Sequence, residues 1–458
     1  MSRVGRDDLT VRAAERRLVL LTATRWLPVG LVFGLTVLLP LERGISLVQV
    51  GGLLAIQGVV VLALELPTGG LADALGRRPL LVASGVLAVG STVLFAFSTE
   101  FWMFAVAMIA QGVFRALDSG PLEAWYVDTA HAADPAAPIE RGLSRAATML
   151  GVAIAVGALA GGGLVAWHPV GGVSALVVPF AVAIALYALH TVLLALLVRE
   201  PPRAGAAGGA GAAGAGGVGG ALSGVHSEGA EAVGRARKWG AGPALAAYRE
   251  APRVVLAGLG LLRRSPVLRA IVLVEVFWSV AMIAFETLTP VRLAGLLGGE
   301  DAAGALFGPA SAAAWALFAA GSLLAGVTSR RVGVAWTAIG ARILNGLFVV
   351  VMGLTAGVVG LVAAYWLAYL THGAAGPMHS TLLHRQATSA NRAVVLSMNS
   401  MVAGGAYSLG LLLFTPLAEG FGTGVAFVAA GAFSVVGALL YLPALRQENG
   451  GRPTAPVS

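Results

Sequence analysis

Four residues suited to proton transfer or ligand binding recur at helical spacing early in the second half of the chain. Glu275, Ser279, Met282 and Glu286 stand at offsets of 0, 4, 7 and 11 residues. On a continuous α-helix they share one narrow face, about 16 Å long. A face turned toward lipid would not carry two carboxylates, so the spacing predicts a helix lining a polar cavity. Because burial favours the neutral form of a carboxyl group, Glu275 and Glu286 are candidates for taking up and releasing a proton.

A second charged group, Arg115, Asp118 and Glu123, falls within one apolar stretch. A charge near the centre of a membrane costs about 3 kcal/mol and is seldom kept without a use. Arg115 and Asp118 are close enough on one helix to neutralise each other as scaffold. Glu123 lies about 80° around a continuous helix from Arg115 and is expected to face the cavity. Arg25 is the expected partner of Glu275 if an ion pair holds that carboxylate.

The remaining reactive residues exclude several kinds of chemistry. His372 and His379 share a helix face and are candidates for proton transfer, with a hydrogen-bonded scaffold as the alternative for each. No histidines and carboxylates show paired ligand spacing, so we expect no metal and no cofactor. The chain has no cysteine, and its one lysine, Lys238, lies outside any Gly-rich phosphate loop. We therefore expect that the protein is not an enzyme and does not hydrolyse ATP. Any energy-requiring process it carries out must be driven by a gradient across the membrane.

The elements that position these residues are long apolar runs. The chain is 57% apolar and 11% charged, and about 20 apolar residues in a helix span a bilayer. We predict an all-α membrane protein with the lipid bilayer as its main solvent. The twelve predicted transmembrane helices cover residues 18–40, 46–72, 79–98, 101–127, 142–166, 171–198, 267–291, 302–328, 333–352, 357–385, 393–417 and 421–444.

The basic residues predict how the chain is oriented. Most of its 30 Lys and Arg residues fall in segments on one side of the alternating spans, and only Arg43 and Arg292 fall near the opposite ends. Basic residues concentrate on the cytoplasmic side of membrane proteins. We therefore expect both termini in the cytoplasm and a multi-pass protein of the cell (inner) membrane. The net charge of +8 is then explained by this orientation in the membrane and does not indicate a nucleic-acid partner.

Composition and an internal repeat divide the chain. Shifting the first half by about 250 residues places Pro40 on Pro290, and slightly larger shifts place Arg77 on Arg330 and Pro121 on Pro377. This pattern predicts two pseudo-symmetric six-helix bundles with a site between them. The Gly/Ala-rich part of the central stretch indicates a linker, and its basic, leucine-bearing end an amphipathic helix. The predicted divisions are a tail over 1–17, bundles over 18–198 and 267–444, a linker over 199–266 and a tail over 445–458.

One segment resembles a known family. Gly69-Gly70-Leu71-Ala72-Asp73-Ala74-Leu75-Gly76-Arg77-Arg78 closes the second span and is similar to the loop signature of the major facilitator superfamily of secondary transporters. A weaker copy of this signature lies at 326–333, where Gly326 stands at the position that corresponds to Asp73. The resemblance extends over nearly the whole chain outside the linker and implies transport by alternating access.

The same segment has properties suited to a conformational gate. Gly70 and Gly76 allow close helix approach and a tight turn, while Asp73 lies beside Arg77 and Arg78. We expect Asp128, at the end of the fourth span, to pair with one of the arginines when the cytoplasmic side is closed. Anchoring of the arginines to lipid headgroups is the alternative.

Two further segments are similar to family motifs. The span with Arg115 resembles the arginine-bearing fourth helix of proton-coupled members, but Gly120 comes five residues after Arg115 where the motif has four. The run 157–163 resembles the glycine-rich fifth helix of antiporters, with Ala158 where that motif has proline. Close helix packing alone would explain these glycines.

These patterns predict a secondary transporter that exports an amphipathic or hydrophobic small molecule in exchange for protons. Acidic residues outnumber basic ones inside the predicted spans, which favours a cationic or neutral cargo. Uptake of a small anion or nutrient on Arg25, Arg115 and Arg342 is the alternative. A non-transporting membrane receptor or assembly subunit is a more distant one. We expect the protein to be a monomer.

Overall fold

The computed structural model describes residues 9–199, 255–388 and 391–450, with side chains omitted from the description at 66–75. Twelve helices in these ranges are long and apolar enough to span a membrane. Their order confirms the predicted all-α fold, and each of the twelve predicted spans falls on one helix. They are α1 Val11–Glu42, α2 Leu47–Leu75, α3 Arg77–Phe97, α4 Phe101–Ala133, α5 Glu140–Trp167, α6 Val177–Leu197, α7 Pro266–Leu297, α8 Glu300–Val332, α9 Val334–Leu354, α10 Val358–Arg385, α11 Arg392–Phe421 and α12 Thr423–Asn449.

Long apolar runs form helices because a bilayer offers no water to the backbone, so each amide must bond within its own helix. Large apolar side chains face outward, with Leu323 76% and Val359 84% exposed, as expected for surfaces covered by lipid. Several helices extend beyond the predicted span. Helix α1 begins seven residues early because the Thr10 hydroxyl caps it, accepting from the Ala13 amide at 3.3 Å.

Four spans are not the continuous α-helices that the sequence patterns assumed: α12 contains a 3-10 segment at Ala438–Tyr441, and the breaks in the other three bear on the predicted site. Helix α1 is interrupted before Leu35, where Gly34 has a φ of 78°. Helix α4 stops at Asp118 and restarts at Pro121, and Gly120 between them has a φ of 89°. Glycine adopts this left-handed conformation without strain, and proline suits a helix start. In α7, residues Ile283–Leu288 form a π-helix, a wider turn often found at functional sites.

The helices pack as two halves of six. Helices α1–α6 pack on one another, as do α7–α12. The halves meet where α5 packs on α8 and α2 packs on α11, a contact that we call the seam. The predicted domain boundaries stay predictions. Most of the predicted linker, residues 200–254, lies outside the described part; residues 255–264, at the end of the predicted amphipathic helix, are helical.

The seam is tightest at the end of the helices that carries Arg43, which we call the Arg43 end; the opposite end is the Arg77 end. A Cβ atom added to Gly162 of α5 would lie 2.7 Å from Pro309 Cδ and 2.8 Å from the Ala305 carbonyl oxygen of α8. Across the other pair of helices, the Val48 amide donates to Glu419 Oε2 at 2.8 Å. The two halves are therefore in backbone contact at the Arg43 end.

Candidate functional site

Arg25 and Asp118 form an ion pair inside the first half. The distance from Arg25 Nε to Asp118 Oδ2 is 2.5 Å, and the Arg25 guanidinium lies 4.3 Å from the centre of the Phe114 ring. Both partners predicted from the sequence are therefore wrong, since Asp118 does not pair with Arg115 and Arg25 does not pair with Glu275. The two charges neutralise each other within the first half.

Glu275 is held in a buried network inside the second half. His379 Nε2 lies 2.9 Å from Glu275 Oε1 and 3.1 Å from Asn399 Oδ1. The Asn399 amide also donates to Glu275 at 3.3 Å, and His379 Nδ1 lies 2.7 Å from the Tyr441 hydroxyl. The structure thus brings two predicted site residues, Glu275 of α7 and His379 of α10, into one network. Helices α11 and α12 complete this network with Asn399 and Tyr441. Glu275 has an ion-pair partner, but on α10 and not on α1.

Arg115 and Glu286 lie on opposite sides of the seam, close enough for their charges to interact. Arg115 is exposed although it lies deep in a membrane span, and its Nη1 atom donates to Gln57 Oε1 at 3.4 Å. Glu286 is carried by the π-helix of α7, and its Oε1 atom is buried without a hydrogen-bond partner among the described residues. This opposition of charges from the two halves is the centre of the candidate site.

The predicted stripe on α7 therefore does not act as one surface. Glu275 and Ser279 are buried against the other helices of their own half, where the Ser279 hydroxyl donates to the Ala403 carbonyl oxygen at 3.0 Å. Glu286 instead lies within electrostatic range of Arg115 in the other half. The offsets assumed an unbroken α-helix, and the π-helix after Met282 changes the register between the two carboxylates.

Glu123 is exposed on the second segment of α4, near the Arg77 end. Its predicted angle from Arg115 is wrong because the helix breaks between the two residues at Gly120. Glu123 thus belongs to a separate helical segment, and the structure does not bring it to the Arg115–Glu286 pair.

The predicted contact of the gate residues is present. Arg77 Nη1 lies 2.5 Å from Asp128 Oδ2, and Arg78 donates to the Ala195 carbonyl oxygen at 2.6 Å. Gly76 ends α2 with a φ of 90°. The contact joins α3 to α4 within the first half, and its predicted link to closure of the cytoplasmic side stays a prediction. The Asp73 side chain and the surroundings of Gly70 lie outside the described side chains.

Sequence reasoning missed an aromatic cluster in the second half. The Arg342 guanidinium lies 4.0 Å from the centre of the Trp278 ring, whose centre is 4.1 Å from that of the His372 ring. The sequence offered Arg342 only as one of three arginines for an anion, and tryptophan in membrane proteins more often anchors at the bilayer surface. Both Trp278 and Trp315 are instead buried. In the described part of the chain, no three His, Asp or Glu residues are grouped to hold a metal ion.

Two packed halves of membrane-length helices, with opposed charges where they meet, define a multi-pass membrane protein of the transporter class. The sequence profile of the Major Facilitator Superfamily matches residues 18–318. The chain belongs to this family.

Solved structures with similar folds include two of the nucleoside transporter NupG and one of the human organic anion transporter MFSD10 (TETRAN). The NupG structures have TM-scores of 0.71 and 0.69 at 10% and 12% sequence identity, covering 94% of this chain and 99% of theirs. MFSD10 has a TM-score of 0.55 at 16% identity, covering 93% of this chain and 99% of its own. At these identities the likeness concerns the fold alone. A comparison with curated protein sequences finds no match.

Proposed function

We propose that this protein is a secondary transporter that exports an amphipathic or hydrophobic small molecule in exchange for protons by alternating access. The observation that carries the proposal is the Arg115–Glu286 opposition across the seam. A site formed by one charge from each half changes whenever the halves move relative to each other. Such a site can be exposed to one side of the membrane at a time.

The contacts between the two halves support a proposal about which end of the protein is closed and which is open. The backbone contacts at the Arg43 end close that side, and both Arg115 and Glu123 are exposed. Under the proposed orientation, with the Arg77 end and both termini in the cytoplasm, the described state is open inward. In that state a cytoplasmic substrate reaches the exposed Arg115 before Glu286, whose Oε1 atom is buried. The proposed location is the cell (inner) membrane, and the proposed unit is a monomer.

Glu286 is the proposed proton carrier. An ionised Glu286 attracts Arg115, whereas a protonated Glu286 does not, so the proton controls the attraction between the halves. A substrate that binds between the two side chains competes with this attraction. Exchange follows if the proton and the substrate bind alternately. Asp118 and Glu275 take no part in this competition because each is held in an ion pair within its own half.

Uptake of a small anion or nutrient is the second candidate. The predicted surplus of acidic groups no longer favours a cation, because two of the acids are neutralised by their partners. Of the three arginines considered for an anion, Arg25 is paired with Asp118, which leaves Arg115 and Arg342. A receptor without transport stays the more distant alternative, since it would not need a titratable group at the seam.

Reconstituted vesicles test the proposal. Purified protein in proteoliposomes is offered tetraphenylphosphonium, a sugar and benzoate, with and without a pH gradient. Glu286→Gln is expected to reduce gradient-driven transport at least tenfold while exchange without a gradient continues. Glu100→Gln, at an exposed carboxylate outside the seam, is the matched control. A Glu286→Gln protein with the pH dependence of the wild type would overturn the role of this residue.

A further inference from the structure

A set of polar atoms in the second half is buried without hydrogen-bond partners. Arg342 is 2% exposed, His372 3% and Trp315 6%. Among the described residues, no partner is present for Arg342 Nε and Nη1, for either ring nitrogen of His372, or for Trp315 Nε1. Leaving such an atom unsatisfied destabilises the folded protein, and a charged group does so more strongly. A bound group that accepts hydrogen bonds from these atoms would remove this destabilisation.

These atoms belong to one continuous cluster of rings. The His372 ring centre lies 4.1 Å from that of Trp278, 4.9 Å from that of Phe318 and 6.1 Å from that of Tyr369. Trp315 joins the cluster with its ring centre 5.5 Å from Phe318 and 6.0 Å from Tyr369. Helices α7, α8, α9 and α10 each contribute to it. Flat faces bind planar groups, and donors within them bind an acceptor on the same group.

The cluster reaches the seam through Tyr369, whose hydroxyl lies next to Glu286. Glu286 in turn faces Arg115. A molecule entering between the halves therefore meets the aromatic surface directly behind the Arg115–Glu286 pair. Among the described residues the cation in the cluster is Arg342, and the carboxylate within reach of its charge, Glu275, is hydrogen-bonded to His379 and Asn399.

We propose that Arg342, His372, Trp315 and the rings around them bind the planar end of the substrate, and that the substrate is an aromatic carboxylate. The carboxylate accepts from the Arg342 guanidinium and the Trp315 Nε1–H, and the ring packs on Trp278 and Phe318. Arginine pairs strongly with carboxylates because its donors match their geometry. This inference rests on the proposed transport function and specifies its amphipathic cargo.

The test measures binding by wild-type protein in nanodiscs, using equilibrium dialysis with radiolabelled 2-naphthoate and, for comparison, neutral 2-naphthalenemethanol. Saturable binding of naphthoate is expected, about tenfold or more tighter than that of the alcohol. Arg342→Gln is expected to abolish this preference. Trp315→Phe keeps a ring but removes one donor, so affinity is expected to fall about three- to tenfold.

Trp366→Phe is the matched control, because the Trp366 Nε1–H already donates to the Ala310 carbonyl oxygen at 2.9 Å. The two tryptophans are expected to give opposite results. Trp315→Phe removes an unsatisfied atom, so it lowers affinity without lowering the unfolding temperature of the ligand-free protein. Trp366→Phe breaks an existing hydrogen bond, so it lowers that temperature and leaves affinity unchanged.

Two outcomes would overturn the inference: no saturable naphthoate binding, or equal affinities in Trp315→Phe and Trp366→Phe. If Arg342→Gln does not fold, the comparison of the tryptophan variants decides alone. The proposed function is tested separately by Glu286→Gln. Loss of proton dependence there together with absent naphthoate binding would keep the transporter and reject the aromatic carboxylate.

Discussion

The backbone contact at the Arg43 end gives a sharp prediction, because a single methyl group is too large for it. In Gly162→Ala the new Cβ would lie 2.7 Å from Pro309 Cδ, whereas ordinary contact begins at 3.4 Å. Helices α5 and α8 must therefore separate by about 0.7 Å or strain their neighbours. Overpacking of this kind costs about 1–3 kcal/mol, and the cost falls only on the state closed at this end.

The matched control is the next residue. A Cβ added to Gly163 meets nothing within 4 Å, so Gly163→Ala should leave the seam unchanged. Both substitutions raise helix propensity by the same amount, about 1 kcal/mol, and only one of them produces a clash. A cost of about 1–3 kcal/mol corresponds to a shift of about 5- to 150-fold in the balance between the two states.

Spin-label distances measure this balance. The chain contains no cysteine, so labels attach only at introduced positions. The exposed residues Val170 and Leu354 report on the Arg43 end, and Ala132 and Val332 on the Arg77 end. Gly162→Ala is expected to lengthen the first distance and shorten the second. Identical distance distributions in Gly162→Ala and Gly163→Ala would refute the reasoning.

Two further predictions concern the gate and the linker. Arg77→Ala breaks a partly exposed ion pair that contributes about 0–1 kcal/mol to stability, so insertion and unfolding temperature are expected to change little while vesicle transport falls at least tenfold. Arg330→Ala, at the repeat-related exposed position, serves as control, and normal transport in Arg77→Ala would remove the gate. Deletion of residues 205–230 is expected to leave insertion and transport intact, because this Gly/Ala-rich stretch is too poor in bulky side chains to form a core; loss of either would show a further role.

The architecture could be predicted from the sequence because a bilayer imposes simple rules on length and polarity. Each of the twelve predicted spans falls on a helix, and the Arg77–Asp128 contact was also expected. The break in α4 had a local signal, since Gly120-Pro121 is typical of a helix start. The π-helix at Ile283–Leu288 has no comparable signature in its residues.

Ion-pair partners were harder to predict for a physical reason. Spacing along one helix limits which neighbours can meet on that helix, but it does not fix the depth and rotation of other helices. Asp118 pairs with Arg25, 93 residues away, and Glu275 with His379 on α10. The aromatic cluster around Arg342 likewise draws on four helices, so no segment of the sequence shows it.

The small residues at the seam also bear on how easily the halves part. Long side chains that interdigitate must change rotamer before two helices can separate, whereas glycine and alanine have no side-chain rotamers to change. At the Arg43 end, Gly162 and Ala305 present little beyond backbone to each other. Separation at Gly162 and Ala305 therefore needs no rotamer change, and the side-chain contacts that must part at that end are the Val48–Glu419 hydrogen bond and the stacked Phe33 and Phe307 rings.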